Sequence, residues 1–525
     1  MNTIDPTTLR GWIEDGAELA ILDAREEGEF GAAHLFWAVP CPLSRRELRV
    51  AALLPRRDVR IVCVDDASGL AEALADYLHE AGCPNVFVLK DGIDAWKDAG
   101  FVLFSGVNVP SKAFGEWVEH HYGTESIDPP QLRAWLDEGR NMVVLDSRPM
   151  DEFRQMTIPT AINVPGGELA YRIGDLAPDP ETLVVVNCAG RTRSILGAES
   201  LRRAGIPNTV VALRNGTMGW ELAGLKCARG RTERFAPGTP QTAALALDRA
   251  KRFAEDSGVG VIGALDLTRL QEDTSRTLYI LDVRDPEEFR AGHRAGSVNA
   301  PGGQLVQATD RWIGVRRARI ALIDDTGVRA RMTGAWLRQM GHADVFAVEG
   351  GLEDELVTSP PRPAAGAAIE PMDLMAELGL PGNIVVDLAR SVEFRDGHIP
   401  GALWGIRSRL DRLQRRLAPA ENVTLTCPDG VLARLAVPEV QALTGGRVRV
   451  LHGGTQAWRQ AGGAVVANRT DPPDEDCADF YLRPYDRNSG VEAAMHAYLS
   501  WEIDLVHEIA RDGTVHFGVG PHAIA

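Results

Sequence analysis

The amino-acid sequence predicts an α/β protein of four tandem units, each a small, mostly parallel sheet with helices on both faces, followed by a helical C-terminal tail. The first observation is that short β-branched stretches alternate with helical ones. Residues 61–64 are typical of a strand, and residues 70–80 with the following Ala81-Gly82 are typical of a helix and its end. The second is the length of 525 residues, which exceeds what one hydrophobic core supports. The third is an internal repeat.

An aspartate followed six residues later by a Glu-Phe pair occurs four times in the chain, at Asp23, Asp146, Asp282 and Asp387. Repetition of this kind indicates a tandem array of one structural unit. In the first three copies an arginine stands two residues after the aspartate, whereas in the fourth it has slipped to Arg390. Each copy ends in an apolar stretch followed by glycine, at Gly92, Gly216, Gly350 and Gly453. We therefore expect units 1 to 4 at residues 1–103, 124–228, 260–358 and 369–467, and a tail at 468–525.

The connectors between the units differ in composition. Residues 104–110 lead into an aromatic-rich helical stretch around Trp117, which favours a packed connector. Residues 227–264 contain a helical stretch over 243–254, while residues 359–366 are rich in proline and alanine and are expected to be exposed.

The tail contains a helix from about Val491 to Arg511 that places four apolar side chains on one face, namely Tyr498, Trp501, Leu505 and Ile509. We expect this face to pack on the chain's own units, with a homodimer contact as the alternative.

Composition argues against several classes of protein. An apolar content of 45% and a charged content of 25% are typical of globular proteins. The sequence contains no run of about 18 apolar residues, so no membrane-spanning helix is predicted. The N-terminus does not resemble a signal peptide. A net charge of −17 argues against nucleic acid or an anionic membrane as the main partner. The seven cysteines show no paired spacing, so we expect no disulfide framework, no metal site and a cytoplasmic location.

One stretch, residues 184–194, combines a strand end, a cysteine and two arginines. The apolar residues before Cys188 predict a strand, and the residues after Ser194 predict a helix. Cys188 is therefore expected in a tight loop at a helix N-terminus, where free N–H groups and the helix dipole favour an anion. Gly190 lets the loop curl, and Arg191 and Arg193 add positive charge. Such surroundings can lower the pKa of a thiol from about 8.5 to roughly 3.5–7.5, which predicts a nucleophilic cysteine.

The loop Cys-Ala-Gly-Arg-Thr-Arg-Ser at residues 188–194 resembles the active-site loop of rhodanese-type sulfurtransferases. Flanking segments resemble the same family in the same order, namely residues 144–153, 161–167 and 213–220. The resemblance implies four rhodanese-like domains. It also implies that Cys188 accepts a sulfane sulfur as a persulfide from a small anionic donor, such as thiosulfate or a persulfide. The acceptor would be cyanide or a thiol, and no cofactor is expected.

The resemblance further implies that the residues after the cysteine bind the substrate, namely Ala189, Gly190, Arg191, Thr192, Arg193 and Ser194. In this interpretation the two arginines attract the anionic donor, and the backbone N–H groups hold the persulfide.

The other three units lack this loop. Counting back from the residue before the helix-ending glycine places Asp65 of unit 1 and Asp324 of unit 3 at the position of Cys188. A carboxylate cannot form a persulfide and repels an anionic donor, so units 1 and 3 are predicted to be inactive. We expect the aspartates there to be solvated loop ends, with a metal site as the weaker alternative.

Unit 4 has Cys427 at the equivalent strand end, but Pro428 removes an N–H donor and Asp429 adds the wrong charge. We interpret Cys427 as a buried structural cysteine, with a secondary relay thiol as the alternative.

Three histidines, His34, His293 and His398, stand four residues after the phenylalanine of the Glu-Phe pair, where a general base is one interpretation. Unit 2, however, has Thr157 at that position. Because the only unit with a complete loop lacks the histidine, we interpret all three as structural. The Asp146–Arg148 pair recurs in units without the cysteine, so it is interpreted as a scaffold pair.

Two other functions remain open at this point. Rhodanese-like folds resemble the cell-cycle dual-specificity phosphatases, which need an arginine after five intervening residues from the cysteine. Here that position is Ser194, so the loop is too small for phosphate. A scaffold in which the aspartate-bearing units bind a partner, or deliver sulfur to one, is compatible with activity at Cys188.

Overall fold

The computed structural model describes residues 2–353, 356–358 and 367–519. Four successive α/β units and a C-terminal helix occupy these ranges, which confirms the predicted fold class. The Pro/Ala-rich connector expected at 359–366 lies outside the described residues.

Unit 1 has a central parallel sheet. Its strands are β1 (Asn2–Ile4), β2 (Leu19–Asp23), β3 (Val39–Pro40), β4 (Arg60–Val64) and β5 (Val86–Leu89). Its helices are α1 (Pro6–Glu14), α2 (Glu27–Ala32), α3 (Arg46–Leu53), α4 (Leu70–Glu80) and α5 (Gly92–Asp98). The strand order is β1-β5-β4-β2-β3, so β4 lies in the middle. The helix α4 forms as predicted because Ala71, Leu74, Ala75 and Leu78 recur at helical spacing and bury one face.

The first connector is the helix α6 (Val109–Tyr122), which begins with a proline in its first turn and ends at Gly123 in the left-handed conformation. Unit 2 follows with the strands β6 (Ser126–Ile127), β7 (Met142–Asp146), β8 (Ile162–Asn163), β9 (Leu183–Asn187) and β10 (Val210–Leu213). Its helices are α7 (Pro129–Asp137), α8 (Met150–Gln155), α9 (Leu169–Leu176), α10 (Thr192–Arg203) and α11 (Gly216–Leu222). The parallel order is β6-β10-β9-β7-β8, and every residue of the central strand β9 is buried.

The second connector contains the helix α12 (Pro240–Asp256). Unit 3 has the strands β11 (Gly260–Gly263), β12 (Leu278–Asp282), β13 (His293–Arg294), β14 (Val298–Asn299), β15 (Val315–Arg316), β16 (Arg319–Ile323), β17 (Asp344–Glu349) and β18 (Leu356–Val357). Its helices are α13 (Ala264–Glu272), α14 (Pro286–Ala291), α15 (Gly302–Gln307) and α16 (Val328–Gln339). The main sheet runs β11-β17-β16-β12-β14, and β13 pairs with β18 in a separate antiparallel ribbon.

Unit 4 repeats the arrangement with β19 (Ala368–Ile369), β20 (Asn383–Asp387), β21 (Leu403–Trp404), β22 (Asn422–Thr426) and β23 (Arg447–Leu451). Its helices are α17 (Pro371–Glu377), α18 (Ser391–Asp396), α19 (Gln414–Leu417), α20 (Val431–Leu435), α21 (Val437–Gln441) and α22 (Gly454–Gln460). The order β19-β23-β22-β20-β21 again places the fourth strand of the unit, β22, in the middle of the sheet. The loop that follows the middle strand therefore lies at the same place in every unit.

The units pack tightly against one another. Strand β15 of unit 3 extends the sheet of unit 1 by pairing antiparallel to β2. Units 2 and 3 approach so closely that a Cβ atom added at Gly303 would lie 2.7 Å from the backbone nitrogen of Gly167. Such contacts allow side chains from different units to line one space.

The tail ends in the helix α23 (Val491–Asp512), close to the predicted bounds. Leu505 and Ile509 are buried with Phe104, Val109 and Ala113 of the first connector region. The apolar face thus packs on the chain's own units, and the homodimer contact stays a prediction. None of the helices within the described ranges combines the length and apolar content that crossing a bilayer requires.

Candidate active site

Cys188 occupies the position that the sequence predicts for it, directly after the central strand β9 and four residues before α10 begins. Its side chain is buried, with 2% of the residue exposed. The thiol donates a hydrogen bond to Oγ of Ser194 at 3.6 Å, and the Ser194 hydroxyl donates to the carbonyl of Arg191 at 2.8 Å. The sulfur therefore faces the first turn of α10, where the helix dipole favours negative charge.

The loop after Cys188 offers free hydrogen-bond donors. In the part of the chain that the structure describes, no acceptor contacts the backbone N–H groups of residues 189–193. Buried N–H groups are normally paired, so a run of unpaired donors at a helix N-terminus is suited to holding an anion.

Two glycines are required for close approach around this loop. A Cβ atom at Gly190 would lie 3.1 Å from Oε2 of Glu502 on α23, so the tail helix covers the loop. Gly216 has a φ of +55°, and a Cβ atom there would lie 2.2 Å from the carbonyl oxygen of Cys188. In units 1 and 2 the glycine that ends the sequence repeat thus supports the loop, since a Cβ atom at Gly92 would lie 2.4 Å from the carbonyl oxygen of Asp65.

The two loop arginines have different surroundings. The Arg191 guanidinium forms a bidentate pair with Glu116 of α6, both N···O distances being 2.7 Å, and also contacts Glu119. Its charge is thereby neutralised by the connector helix. Arg193 instead pairs with Glu152 of α8 at 2.8 and 2.9 Å. Both stay predicted substrate-binding residues, but only the Arg193 side chain lines the adjacent cavity.

The surroundings of Cys188 differ from those that the sequence predicts for a thiolate. Burial raises the pKa of the Cys188 thiol, and the charge of Arg193 and the hydrogen bonding with Ser194 only partly oppose this effect. The difference arises because the sulfur is enclosed and because the charges of both arginines are shared with carboxylates. Burial of the sulfur therefore favours the protonated thiol.

Asp146 and Arg148 form a buried ion pair, with Nη2 of Arg148 at 2.7 Å from Oδ2 of Asp146. Thr157 and Asn187 also donate to this carboxylate, at 2.7 and 3.0 Å. The same ion pair recurs at Arg25–Asp23 and Arg284–Asp282, in units that lack the cysteine. This recurrence agrees with the interpretation of the pair as part of the scaffold.

The histidines at the position of Thr157 are engaged locally. His34, His293 and His398 each hydrogen-bond through Nδ1 to the carbonyl of the phenylalanine four residues earlier, and each ring stacks on that phenylalanine. These contacts agree with the structural interpretation.

In units 1 and 3 a carboxylate takes the place of the sulfur. Asp65 is buried and accepts hydrogen bonds from the N–H groups of Ala67 and Ala71, at 2.9 and 3.0 Å. Asp324 is also buried and accepts from the N–H groups of Gly327 and Arg329, at 2.9 and 3.1 Å. The expectation of solvated loop ends is therefore wrong. Each of these carboxylates is buried and accepts hydrogen bonds from backbone N–H groups of its own loop. No metal-binding cluster of three or more histidine, cysteine or acidic side chains occurs within the described residues.

Cys427 of unit 4 lies after the central strand β22, as expected, and is buried. Its sulfur is 3.5 Å from Oδ1 of Asp429, which also accepts from the N–H of Val431 at 2.9 Å. Burial raises the pKa of the Cys427 thiol to about 11, and the Asp429 carboxylate adds to this effect. These surroundings favour a structural thiol over a relay.

A cavity of about 270 Å³ lies beside the Cys188 loop, and we call it the chamber. Ala189, Arg193 and Met218 line it at the loop end. Its other walls come from the remaining units and from the tail, including Arg45, Arg49, Arg311, Arg390, Tyr485 and Tyr498. Sequence reasoning missed the chamber, because its walls come from residues far apart in the chain.

A family model described as "Rhodanese-like domain" matches four segments, residues 5–99, 128–223, 264–354 and 370–461. The chain belongs to this family. The four matches confirm the predicted repeat and place the chain in a sulfurtransferase family.

Two known proteins illustrate the relationship. The rhodanese-like chain is similar to the crystal structure of a thiosulfate sulfurtransferase from Pseudomonas aeruginosa, with 45% identity, a TM-score of 0.90, and coverage of 99% of this chain and 100% of that one. It is also 33% identical over 94 residues to an HTH-type transcriptional regulator of Mycobacterium tuberculosis. That match covers 18% of this chain and only 40% of the regulator, so it concerns a single unit.

Proposed function

We propose that the chain is a thiosulfate sulfurtransferase in which Cys188 carries the transferred sulfur as a persulfide. The observation that carries the proposal is the row of unpaired N–H groups from Ala189 to Arg193 beside the sulfur of Cys188. The likeness to a thiosulfate sulfurtransferase over the whole chain supports it.

The first step is attack by the Cys188 thiolate on the outer sulfur of thiosulfate. A bond forms between the two sulfurs, the S–S bond of thiosulfate breaks, and sulfite leaves with the bonding electron pair. The thiol proton passes to the solvent beforehand. Arg193, which lines the chamber beside the loop, is placed to attract the dianion, and the free N–H groups of the loop hold the terminal sulfur of the persulfide.

The second step returns the cysteine to its starting state. An acceptor such as cyanide attacks the outer sulfur, the Cys188–sulfur bond breaks, and thiocyanate leaves while Cys188 regains its thiolate. Cys188 undergoes no net oxidation over the two steps, because the transferred sulfur leaves with the acceptor. The loop needs only to stabilise negative charge on sulfur.

The proposal assigns no sulfur chemistry to the other three units. Asp65 and Asp324 fill their loops with carboxylates, and Cys427 faces the carboxylate of Asp429. These units instead contribute residues to the walls of the chamber. Their role in the proposed enzyme is therefore structural.

The experiment that tests the proposal is single-turnover sulfite release. Protein mixed with excess thiosulfate in the absence of an acceptor is expected to release one sulfite per chain, and cyanide is then expected to release one thiocyanate. Cys188→Ser is expected to release neither, and Cys427→Ser, the matched control, is expected to behave as the unmodified protein. Sulfite release that survives in Cys188→Ser contradicts the proposal.

A further inference from the structure

The tail helix α23 places a carboxylate against the Cys188 loop. Glu502 is 2% exposed, and its Oε1 accepts a hydrogen bond from the Thr192 hydroxyl at 3.4 Å. Its Oε2 lies 3.1 Å from the point where a Cβ atom of Gly190 would stand. Within the described residues this second oxygen has no hydrogen-bond partner. An ionised carboxylate in this position is costly, because its oxygen has lost water and gained no donor.

A buried cation of the first connector lies beside Glu502. Lys112 of α6 is 2% exposed, and its Nζ lies 4.6 Å from the ring centre of Tyr498 and 4.4 Å from that of Trp501. Burial lowers the pKa of Lys112, while the Glu502 charge and the two ring faces favour its ammonium form. Burial raises the pKa of Glu502, and Lys112 only partly opposes this effect. Of the two groups, Glu502 is therefore the one whose charged form has the weaker support.

The other groups around Glu502 keep one charge state near neutral pH. The titratable side chains that face it, besides Lys112, are Glu116 of α6, Cys188 and Arg191 of the loop, and Tyr481 and Tyr498 of the tail. Glu116 and Arg191 neutralise each other in their bidentate pair. Burial raises the pKa of both tyrosines, so both phenols stay neutral.

The groups that face Lys112 include one alternative holder of a proton. They are His34 of unit 1, Arg193 of the loop, Asp310 of unit 3 and Arg483 of the tail. Burial lowers the pKa of His34 to about 3, so this imidazole stays neutral, and both guanidinium groups stay charged. Burial raises the pKa of Asp310 to about 6. Asp310 is therefore the main competitor of Glu502 for a proton.

An anion in the Cys188 loop changes the balance at Glu502. The free N–H groups of residues 189–193 include that of Gly190, the residue against which Oε2 of Glu502 lies. A dianion held by these donors repels the Glu502 carboxylate across an enclosed space of low dielectric constant. Protonation removes the repulsion and turns the unpartnered oxygen into a possible donor.

We propose that Glu502 takes up a proton when the Cys188 loop binds its anionic donor, and releases the proton when the anion leaves. This inference rests on the proposed function and adds a proton to its donor-binding step. The proton comes from the solvent, and no bond to sulfur forms or breaks in this step. Glu502 contacts the loop and not the reacting atoms, so it is a positioning residue.

The first test counts protons during binding. Thiosulfate is titrated calorimetrically at pH 7 into full-length Cys188→Ser, which cannot react and lacks the loop thiol as a source of protons. Thiosulfate itself does not titrate near this pH. The binding enthalpy in phosphate and in Tris differs by the number of protons taken up, multiplied by the difference in buffer ionisation enthalpy. We expect an uptake of up to about one proton per thiosulfate.

Variants made in the same Cys188→Ser background identify the group that takes up the proton. Adding Glu502→Gln is expected to remove the uptake. Adding Glu492→Gln, the same change at an exposed position of α23, is expected to preserve it. Adding Asp310→Asn is also expected to preserve the uptake, because the Asp310 carboxylate is not the group that receives the proton.

A pH profile of binding gives a second measurement that does not depend on the folding of these variants. Proton uptake requires the Kd for thiosulfate to increase with pH, by up to about tenfold per pH unit where Glu502 ionises. With Glu502→Gln added, the profile is expected to be flatter and binding at pH 8 tighter.

The outcomes separate this inference from the proposed function. Thiosulfate binding without proton uptake, uptake that survives in a folded Glu502→Gln protein, or uptake that is lost with Asp310→Asn overturns the inference, and the proposed function still stands. If thiosulfate does not bind, the inference is overturned, and the proposed function fails as well only if the unmodified protein releases no sulfite.

Discussion

The loop of unit 2 and the corresponding loops of units 1 and 3 have the same architecture. They differ in whether the backbone N–H groups of the loop have a hydrogen-bond acceptor. All three follow the central strand of a parallel sheet and lead into a helix N-terminus. In units 1 and 3 a carboxylate of the chain itself, Asp65 or Asp324, accepts the N–H groups. In unit 2 the residue is Cys188, and the donors from Ala189 to Arg193 stay free. In units 1 and 3 the loop therefore binds a carboxylate of the chain itself, whereas in unit 2 the same donors are left for the anion that we propose.

The largest effect is expected when the loop of unit 2 is given the aspartate that the loop of unit 1 carries. Cys188→Asp is expected to abolish sulfur transfer completely, because a carboxylate cannot carry a sulfane sulfur. It is also expected to unfold at a higher temperature than Cys188→Ser, since the new carboxylate can accept the free N–H groups. Thiocyanate formation and calorimetric unfolding measure the two effects. If Cys188→Asp is less stable than Cys188→Ser, the backbone N–H groups of this loop do not favour a negatively charged acceptor, and the interpretation is contradicted.

The next largest effect separates the two loop arginines. Arg191→Gln leaves Glu116, which is fully buried, without its charge partner, and is expected to cost about 3–5 kcal/mol of stability. Arg193→Gln is expected to lower kcat/KM for thiosulfate by about tenfold or more, because its charge lines the chamber beside Cys188. Denaturant unfolding and initial rates check each variant. The division of roles is wrong if Arg191→Gln is as stable as the unmodified protein while losing the same activity as Arg193→Gln.

The pH dependence of the first step reports the pKa of the Cys188 thiol. Because burial raises the pKa of Cys188, the thiolate fraction is small at neutral pH and increases about tenfold per pH unit. Single-turnover sulfite release is therefore expected to keep rising with pH past about 8.5, the ordinary pKa of a free thiol. A plateau reached below pH 7 would show instead that the loop depresses the pKa.

A smaller effect tests the filled loops. Asp324→Ala removes the acceptor of two backbone N–H groups and of the Thr326 hydroxyl, and is expected to cost about 1–3 kcal/mol of stability. Asp65→Ala is expected to cost a similar amount. The neighbouring Asp66 is exposed, so Asp66→Ala serves as the matched control and is expected to change stability by less than about 0.5 kcal/mol. The urea midpoint of unfolding measures the stability of all three variants. Equal shifts in the three would contradict the view that the Asp65 and Asp324 carboxylates stabilise their loops.

The smallest effect is expected at unit 4. Cys427→Ser is expected to leave the rates with thiosulfate and cyanide unchanged, because this thiol has a pKa of about 11 and faces Asp429. Initial rates at several pH values check the expectation. A loss of turnover would restore the relay interpretation of Cys427.

Much of the fold could be predicted because its signals are local. The aspartate, the Glu-Phe pair and the closing glycine repeat at short spacing, and the glycine is needed where Gly216 touches the carbonyl of Cys188. The position of Cys188 after a strand and before a helix was equally local. The same proximity in sequence placed Asp65 and Asp324 at equivalent positions, although it did not reveal that their carboxylates accept the loop N–H groups.

The electrostatics of the site could not be predicted in the same way, because the partners are distant in the chain. Arg191 is neutralised by Glu116, which lies 75 residues earlier, and Thr192 contacts Glu502, which lies 310 residues later. The burial that raises the pKa of Cys188 has the same origin, since α23 covers the loop at Gly190. The chamber likewise exists only once all four units are assembled.

The most direct test of the central claim is peptide mass spectrometry of all seven cysteines after treatment with thiosulfate in the absence of an acceptor. The result we expect is one added sulfur atom on Cys188, removed again by cyanide, with the other six cysteines unmodified. An unmodified Cys188 in protein that turns over thiosulfate, or sulfur carried on Cys427 instead, would contradict the account.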